Sequence, residues 1–149
     1  MLDPTQLGEL HARGWTTVPN AVTDDQLADI RELVWAFLES RGLQRGDRTT
    51  WPETVGKLQP LRNAGVFDAF LGPLIDGIAD QLIGTDGWTT LGVRPQALIT
   101  MPTTEPWRLP HKVWHFDLPA RGPTDRLAAV RYFGLIDAVA PRGGTLTSA

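Results

Sequence analysis

The spacing of apolar residues changes near Gly87, and this change constrains the possible folds more than any other feature of the chain. Before this point apolar residues recur every three or four positions, which indicates amphipathic helices. After it, short β-type runs are separated by proline, glycine and polar residues, which predicts strands. The predicted strands cover 88–91, 96–101, 112–118, 128–136 and a segment from 145 onward. Helices followed by strands indicate an α+β fold, with helices flanking an antiparallel sheet.

The best-defined helix is predicted to begin after Thr23. Thr23 and Gln26 have the spacing of a capping box, in which each side chain accepts a hydrogen bond from the other residue's backbone N–H. Val22 and Leu27 are placed as a hydrophobic staple across the same helix end. Gly42 is the predicted stop, because glycine adopts the left-handed conformation that often follows a helix.

The remaining segments of the first half are assigned on similar grounds. Residues 5–13 are predicted to form a short helix that ends at Gly14, and residues 15–18 a short strand. The polar stretch 42–63 is predicted to be a long loop. A second helical pattern follows this loop and is split at Pro73, because proline favours the first turn of a new helix.

Composition excludes several classes of protein. The 149 residues fit one domain, 1–149, with a mainly helical part, 1–87, and the first strands of a β-structure, 88–149. Without cysteine the chain has no disulfide framework, thiolate zinc site or cysteine nucleophile. A net charge of −3 and the lack of a basic patch argue against a nucleic-acid partner. No apolar run approaches the roughly 20 residues of a membrane span, and no signal peptide is visible, so we expect a cytoplasmic protein with no membrane partner.

The pair His115 and Asp117, two residues apart in a predicted strand, is the strongest sign of chemistry in the sequence. Alternate side chains of a strand share a face, so both side chains would point the same way. An imidazole and a carboxylate side by side form two corners of the 2-His-1-carboxylate triad that binds Fe(II). The pair alone is at least as compatible with a strand-end histidine that is hydrogen-bonded to a nearby aspartate.

Three segments resemble, in the right order, parts of the phytanoyl-CoA dioxygenase family. Residues 14–23 resemble its opening, a short strand that leads into the first long helix. Residues 98–100 and 110–117 resemble its strand, loop and metal-binding strand. Residues 133–137 and 141–146 resemble the next strand and its Gly-Gly turn. Three ordered segments are much more specific than a histidine and an aspartate.

The resemblance implies a fold and an activity. The fold would be helices packed on a double-stranded β-helix, a jelly roll of the cupin type. His115 and Asp117 would hold Fe(II), and 2-oxoglutarate would be decarboxylated to succinate while a small-molecule substrate is hydroxylated. No catalytic residue is expected beyond the metal ligands, since the protein supplies placement and electronics. Gln96 and Thr100, on one face of the preceding predicted strand, are candidates for contacting 2-oxoglutarate, although ordinary polar groups of a sheet are an equally good interpretation.

The chain departs from the family pattern at its end. The family's second histidine ligand and its 2-oxoglutarate-binding arginine follow the Gly-Gly turn, and no histidine follows His115 here. We therefore expect a truncated domain that lacks the C-terminal strands and whose unpaired sheet edges favour self-association. His111 is a poor substitute ligand, because on a strand its Cα would lie roughly 13 Å from that of His115.

Three functional interpretations follow from the sequence. The first is an Fe(II)/2-oxoglutarate-dependent dioxygenase, and the second is a catalytically incomplete remnant that binds or oligomerises. The third is a zinc or other hydrolase built around His111, His115 and Asp117, which would need ligands from outside the chain. The loop around Trp51 and the side chain of Arg62 are weaker candidates for the entrance of a substrate cavity.

Overall fold

The computed structural model describes residues 1–52, 55–56, 58–89, 94–99, 101 and 130–137. The regular elements in these ranges are the helices α1 (Pro4–Arg13), α2 (Asp24–Glu39), α3 (Gln59–Asn63) and α4 (Pro73–Ile83), with single 3-10 turns at Arg48–Thr50 and Asp68–Phe70. None of the helices in these ranges is long and apolar enough to cross a membrane.

Helices α1 and α2 both begin at a capping box. At α2 the Gln26 N–H donates to Thr23 Oγ1 at 3.2 Å, and the Thr23 N–H donates to Gln26 Oε1 at 3.1 Å. At α1 the Gln6 N–H donates to Asp3 Oδ1 at 2.8 Å, and the Asp3 N–H donates to Gln6 Oε1 at 2.9 Å. A side-chain cap of this kind contributes about 1 kcal/mol, because it pairs backbone donors that the helix cannot pair itself. The box predicted at Thr23 is confirmed, and the box at Asp3 was not predicted.

Glycine and proline set the other helix boundaries largely as predicted. Helix α1 ends at Gly14, which has a φ of 78° and whose N–H donates to the last turn of the helix. A side chain would be strained at this φ, so glycine is favoured there. Helix α2 ends at Glu39, slightly before the predicted stop at Gly42. Helix α4 begins at Pro73, where the sequence predicted the second helical pattern to split.

The core lies between α2, α3 and the turn that follows α3. Its fully buried side chains come from α2 (Ile30 and Leu38), from the residue before α3 (Leu58) and from the turn after it (Phe67), and each is at most 3% exposed. The half-buried apolar side chains that pack around them are Val34, Trp35, Phe37, Leu43, Val55, Leu61, Val66, Ala69, Phe70, Ala97, Ile99, Met101 and Ile136. An apolar stripe was predicted for α2, and Ile30, Val34, Phe37 and Leu38 of this stripe face the core, whereas Leu33 is 49% exposed.

Side chains of helix α4 form hydrogen bonds with the first residues of the chain and with the segment that follows the helix. The Leu2 N–H donates to Gln81 Oε1 at 2.7 Å, and Gln81 Nε2 donates back to the Leu2 carbonyl at 2.9 Å. The Trp88 indole N–H donates to Asp80 Oδ1 at 2.8 Å. Because Leu2 is also buried, the N-terminal segment is fixed by packing as well as by hydrogen bonds.

The structure corrects the α+β prediction with its partial jelly roll. Helices make up 48% of the described residues, and bridge-type pairing makes up 2%, namely the isolated antiparallel bridge between Gln44 and Asp47. No sheet forms among the described residues, which include 96–99 and 130–136, where strands were predicted. Much of the rest of the predicted β-structure lies outside the described residues.

Extended segments pack directly on the helices in place of sheet strands. In the segment 94–99, Ala97 and Ile99 pack against the core, and the residues between and beside them are exposed. In the segment 130–137, Ile136 packs against the same core. Apolar residues at every second position therefore show that one side of an extended chain is buried. Here that side packs against helices.

Side chains on the helices donate hydrogen bonds to backbone carbonyls of the extended segments, which would be paired by a neighbouring strand in a sheet. Arg62 Nε donates to the Arg94 carbonyl at 3.1 Å, and Arg31 Nη1 donates to the Ile136 carbonyl at 3.2 Å. Backbone polar groups removed from water need such partners. These two arginines supply donors without a neighbouring strand. The apolar side chains of both segments are covered by the helical core, so no second strand is needed to bury them.

Two smaller predictions are also wrong. Residues 15–18 are not a strand. The stretch 42–63 is not a plain loop, because it contains the 3-10 turn Arg48–Thr50 and the helix Gln59–Asn63. The assignment of 1–149 to a single domain stays a prediction.

Candidate functional site

The predicted metal ligands lie outside the described residues. This applies to His115 and Asp117, to the predicted 2-oxoglutarate contact Thr100 and to the alternative ligand His111. Their roles stay predictions. Within the described ranges, no group of three or more His, Cys, Asp or Glu side chains is arranged to hold a metal ion.

Gln96 is the predicted 2-oxoglutarate contact that the structure does describe. Its side chain is exposed, between Pro95 and Ala97, which are both half-buried. Leu98 lies on the same side of the extended segment and is 71% exposed. The Gln96 amide is thus accessible to a ligand, and its contact with 2-oxoglutarate stays a prediction.

A polar groove lies between α3 and the start of the segment 94–99. It has a volume of about 410 Å³ and is lined by Gln59, Arg62, Asn63 and Arg94. Two guanidinium groups and two amides therefore border one space, and none of the described residues that line it is acidic. A lining of this kind favours an anion, because guanidinium groups form strong hydrogen bonds with carboxylates and phosphates. We call this space the arginine groove.

The sequence of α3 explains how three lining residues come to share one side. Pro60 stands in the first turn, where its missing N–H costs nothing. Gly65, with a φ of 78°, follows the helix and donates its N–H to the Arg62 carbonyl at 3.0 Å. Gln59 lies three and four positions before Arg62 and Asn63, a spacing that places helical side chains next to each other. Gln59 Nε2 accordingly donates to Asn63 Oδ1 at 2.7 Å.

The two arginines of the groove are anchored through backbone carbonyls. Arg62 Nε donates to the Arg94 carbonyl at 3.1 Å, and Arg94 Nη1 donates to the Asn63 carbonyl at 2.5 Å. Arg94 precedes Pro95, and a residue before proline favours an extended backbone. The terminal nitrogens of Arg62 make no hydrogen bond to another described residue. The Arg62 guanidinium is therefore fixed through Nε, and its two terminal nitrogens can donate to a ligand.

Asp68 lies beside Arg94 but does not line the groove. Its Oδ2 atom is 3.6 Å from Arg94 Nε, and its Oδ1 atom is buried with no hydrogen-bond partner among the described residues. Gly65 makes this arrangement possible, because a Cβ there would lie 2.8 Å from Asp68 Oδ2 and 3.3 Å from Arg94 Nη1. One carboxylate therefore offsets part of the positive charge of the two arginines from outside the groove.

The loop around Trp51 forms a separate cluster on α2. The Trp51 ring packs against Trp35 with the ring centroids 5.7 Å apart. Arg45 makes two hydrogen bonds to the Glu32 carboxylate, at 2.8 and 2.9 Å, and its guanidinium lies 5.4 Å from the centroid of the Trp35 ring. Of the two weaker candidates from the sequence, Trp51 is thus engaged in packing, whereas Arg62 lines the arginine groove.

Hydrogen bonds in this loop shift the pKa values of exposed groups. The Arg45 guanidinium lowers the pKa of Glu32, and Glu32 raises the pKa of Arg45. The pKa of Asp47 is lowered because the hydroxyl of Thr49, and after it the Thr49 backbone N–H, donates to the carboxylate. Since these groups are exposed to solvent, the shifts reflect local order of the loop rather than a reactive centre.

Of the four groove residues, sequence interpretation singled out Arg62 and missed Gln59, Asn63 and Arg94. Arg94 is the most distant of these in sequence. Its bond with Arg62 joins residues 32 positions apart, and no periodicity in the sequence relates two such positions. The available signal was an arginine directly before Pro95 at the start of a predicted strand. That signal predicts an extended backbone, but it does not indicate which helix the segment contacts.

Comparison of the chain with known protein families, with characterised proteins and with solved structures finds no match. Its function is therefore inferred from its own residues. These are the pair His115 and Asp117 in the sequence and the arginine groove in the structure.

Proposed function

We propose that this chain acts as an Fe(II)/2-oxoglutarate-dependent dioxygenase that hydroxylates a small-molecule substrate. The observation that carries the proposal is the pair His115 and Asp117. The resemblance of three ordered segments to the phytanoyl-CoA dioxygenase family supports it. The proposal concerns the ligands and the chemistry, and it does not include a jelly roll.

The donor atoms of the pair suit Fe(II). A neutral imidazole nitrogen and a carboxylate oxygen are both ligands of the 2-His-1-carboxylate type. In an extended segment, two residues that are two positions apart project to the same side and can reach one ion. The iron with its 2-oxoglutarate would supply activation of dioxygen, coupled to decarboxylation of the keto acid to succinate. His115 would bind the metal as the neutral imidazole.

Gln96 and Thr100 are the proposed polar contacts for 2-oxoglutarate. An amide N–H or a hydroxyl can donate to a carboxylate oxygen of the co-substrate. The exposed side chain of Gln96 is accessible for such a contact. Replacing Gln96 with alanine should weaken binding of 2-oxoglutarate without removing the metal.

An anaerobic titration tests the proposal directly. Fe(II) is added to the purified chain in excess 2-oxoglutarate, and the visible metal-to-ligand charge-transfer band of the chelate is followed. We expect a saturable band in the wild-type chain that is lost in His115→Ala and in Asp117→Ala. The matched controls are His11→Ala and Asp86→Ala, since both residues are exposed and lie far from the pair in sequence. Both controls should keep the band.

Two results would contradict the proposal. One is a band that survives both ligand substitutions, because the iron would then bind elsewhere. The other is the absence of any band in a wild-type chain whose helical circular dichroism shows that it is folded.

A second candidate is a protein that associates with a second copy of itself and has no turnover. Large apolar side chains stay exposed on both extended segments, with Leu98 at 71%, Leu135 at 68% and Phe133 at 58%. A second copy that covers these side chains would remove their apolar surface from water, which favours association. Sedimentation should then show concentration-dependent association that Leu135→Ser weakens and Leu33→Ser, on α2, does not. A chain that stays monomeric at every concentration rules this candidate out.

A further inference from the structure

We propose that the arginine groove binds a small oxyanion, namely the carboxylate or phosphate group of an anionic ligand. The proposal applies to the metal-free chain and uses neither His115 nor Asp117. It therefore stands or fails separately from the proposed iron site.

The first argument is the geometry of the donors. A guanidinium presents its N–H groups in a planar fork that matches two oxygens of one carboxylate or phosphate. Arg62 uses its Nε for the Arg94 carbonyl, and its two terminal nitrogens make no hydrogen bond to another described residue. Arg94 uses Nη1 for the Asn63 carbonyl. Each arginine is thus anchored on one side and retains donors for a ligand on another.

The second argument is the excess of donors among the lining groups. The Asn63 amide oxygen already accepts from Gln59 Nε2 at 2.7 Å, so the NH₂ group of Asn63 remains to donate. Together with the two guanidinium groups, it makes the lining rich in N–H donors. An anion can satisfy such donors, whereas a cation cannot.

The third argument is charge. Arg94 is paired with Asp68 at 3.6 Å, as Arg45 is with Glu32 at 2.8 Å and Arg13 is with Glu9 at 3.7 Å. Arg62 faces the same groove, and no ion pair joins it to a carboxylate of the described residues. Two positive charges and one negative charge leave a net positive charge at the groove, which favours an anionic ligand.

The fourth argument is preorganisation. Fixing a long side chain on binding costs conformational entropy, and anchoring it beforehand lowers that cost. Both arginines are held on backbone carbonyls before any ligand arrives. The groove has a volume of about 410 Å³ and is open to solvent, so it is accessible to a small oxyanion.

The experiment follows the arginine Nε–H resonances of ¹⁵N-labelled, metal-free protein by NMR. Inorganic phosphate and acetate are titrated in separate arms, with sodium chloride at matched ionic strength as the reference. We expect the Arg62 and Arg94 resonances to shift saturably with at least one oxyanion and not with chloride. Tighter binding of phosphate would identify a phosphate ester as the ligand class, and tighter binding of acetate would identify a carboxylate.

Three variants complete the test. Arg62→Lys keeps the charge but loses the planar fork, and it should weaken oxyanion binding about tenfold. Gly65→Ala should also weaken binding, because the new Cβ would displace Asp68 and Arg94. Arg41→Lys, which replaces an exposed arginine stacked on Phe37, should leave the affinity unchanged. Linear, non-saturable shifts in the wild type, or an unchanged affinity in Arg62→Lys, would overturn the proposal.

Discussion

Helix α2 and the extended segment 94–99 satisfy their backbone polar groups in two different ways. Helix α2 pairs its own N–H and carbonyl groups along its length, and Thr23 completes the pairing at its start through the bond with Gln26. The Arg94 carbonyl in the extended segment is paired by the side chain of Arg62. The partner of a helix end is encoded within a few residues, whereas the partner of this carbonyl lies on another element.

This difference predicts where the molecule is robust and where it is sensitive. A helix is held by many equivalent hydrogen bonds and by a buried stripe, so one surface change has a small effect. The bond between Arg31 and Ile136 spans 105 positions, and it is a single contact.

The largest effect is expected for Phe67→Ala, which removes a core side chain that is 2% exposed. Truncating a buried phenylalanine leaves a cavity and typically costs about 3–5 kcal/mol. The free energy of unfolding measured by urea denaturation should fall by this amount. Leu71→Ala is the control, since Leu71 is 50% exposed and should lose much less. Similar losses in the two variants would place Phe67 outside the core.

The next effect is expected for Gly134→Ala, which tests how closely the segment 130–137 approaches the helices. A Cβ at Gly134 would overlap the Phe70 ring, so the segment or the ring has to move. Overpacking of this type costs about 1–3 kcal/mol, measured by the same denaturation. Adding Phe70→Leu to Gly134→Ala should recover part of the loss, because the smaller side chain opens space. A neutral Gly134→Ala would show that this segment is not packed on Phe70.

A smaller effect is expected for Arg31→Gln. The shorter side chain cannot reach the Ile136 carbonyl, and a lost hydrogen bond of this type costs about 1 kcal/mol. Amide hydrogen exchange should show faster exchange in the segment 130–137, while the protection of α2 is unchanged. Arg41→Gln serves as the control and should alter neither. If α2 loses protection in Arg31→Gln, the arginine supports the helix rather than the extended segment.

The smallest effect concerns Tyr132, the single tyrosine of the chain. Burial, and after it the negative charge of Asp76, raises the pKa of Tyr132. Its neutral phenol therefore stabilises the fold below the unfolded pKa of about 10, and this contribution is lost as the pH rises through the folded pKa. Tyrosinate absorbance should show a midpoint above that of the urea-unfolded chain. Asp76→Asn should lower the midpoint only in part, because burial is the larger cause, and equal midpoints in folded and unfolded chains would contradict the prediction.

The sequence was sufficient where structure depends on neighbouring residues. The capping box at Thr23, the stop at Gly14 and the start of α4 at Pro73 follow from local chemistry, and all three are confirmed. The predicted sheet failed because an apolar residue at every second position specifies an extended chain with one buried side, but not what covers that side. In the segment 94–99 the cover is helical.

The candidate sites show the same limit. The pair His115 and Asp117 could be singled out because two residues of metal-binding type lie close together in the sequence. The arginine groove could not, because Arg62 and Arg94 become neighbours only through the packing of α3 against an extended segment. A site composed of distant residues leaves no periodic signal in one sequence.

The measurement that tests the proposed metal site most directly is paramagnetic broadening by Mn(II), which accepts the same oxygen and nitrogen donors as Fe(II). Mn(II) is titrated into the ¹⁵N-labelled chain, and the loss of each amide signal is followed. We predict that the signals of residues 113–118 disappear first in the wild-type chain and persist in His115→Ala. Broadening that begins instead at exposed carboxylates such as Asp24 and Asp25, and is unchanged in His115→Ala, would contradict the assignment of His115 and Asp117 as metal ligands.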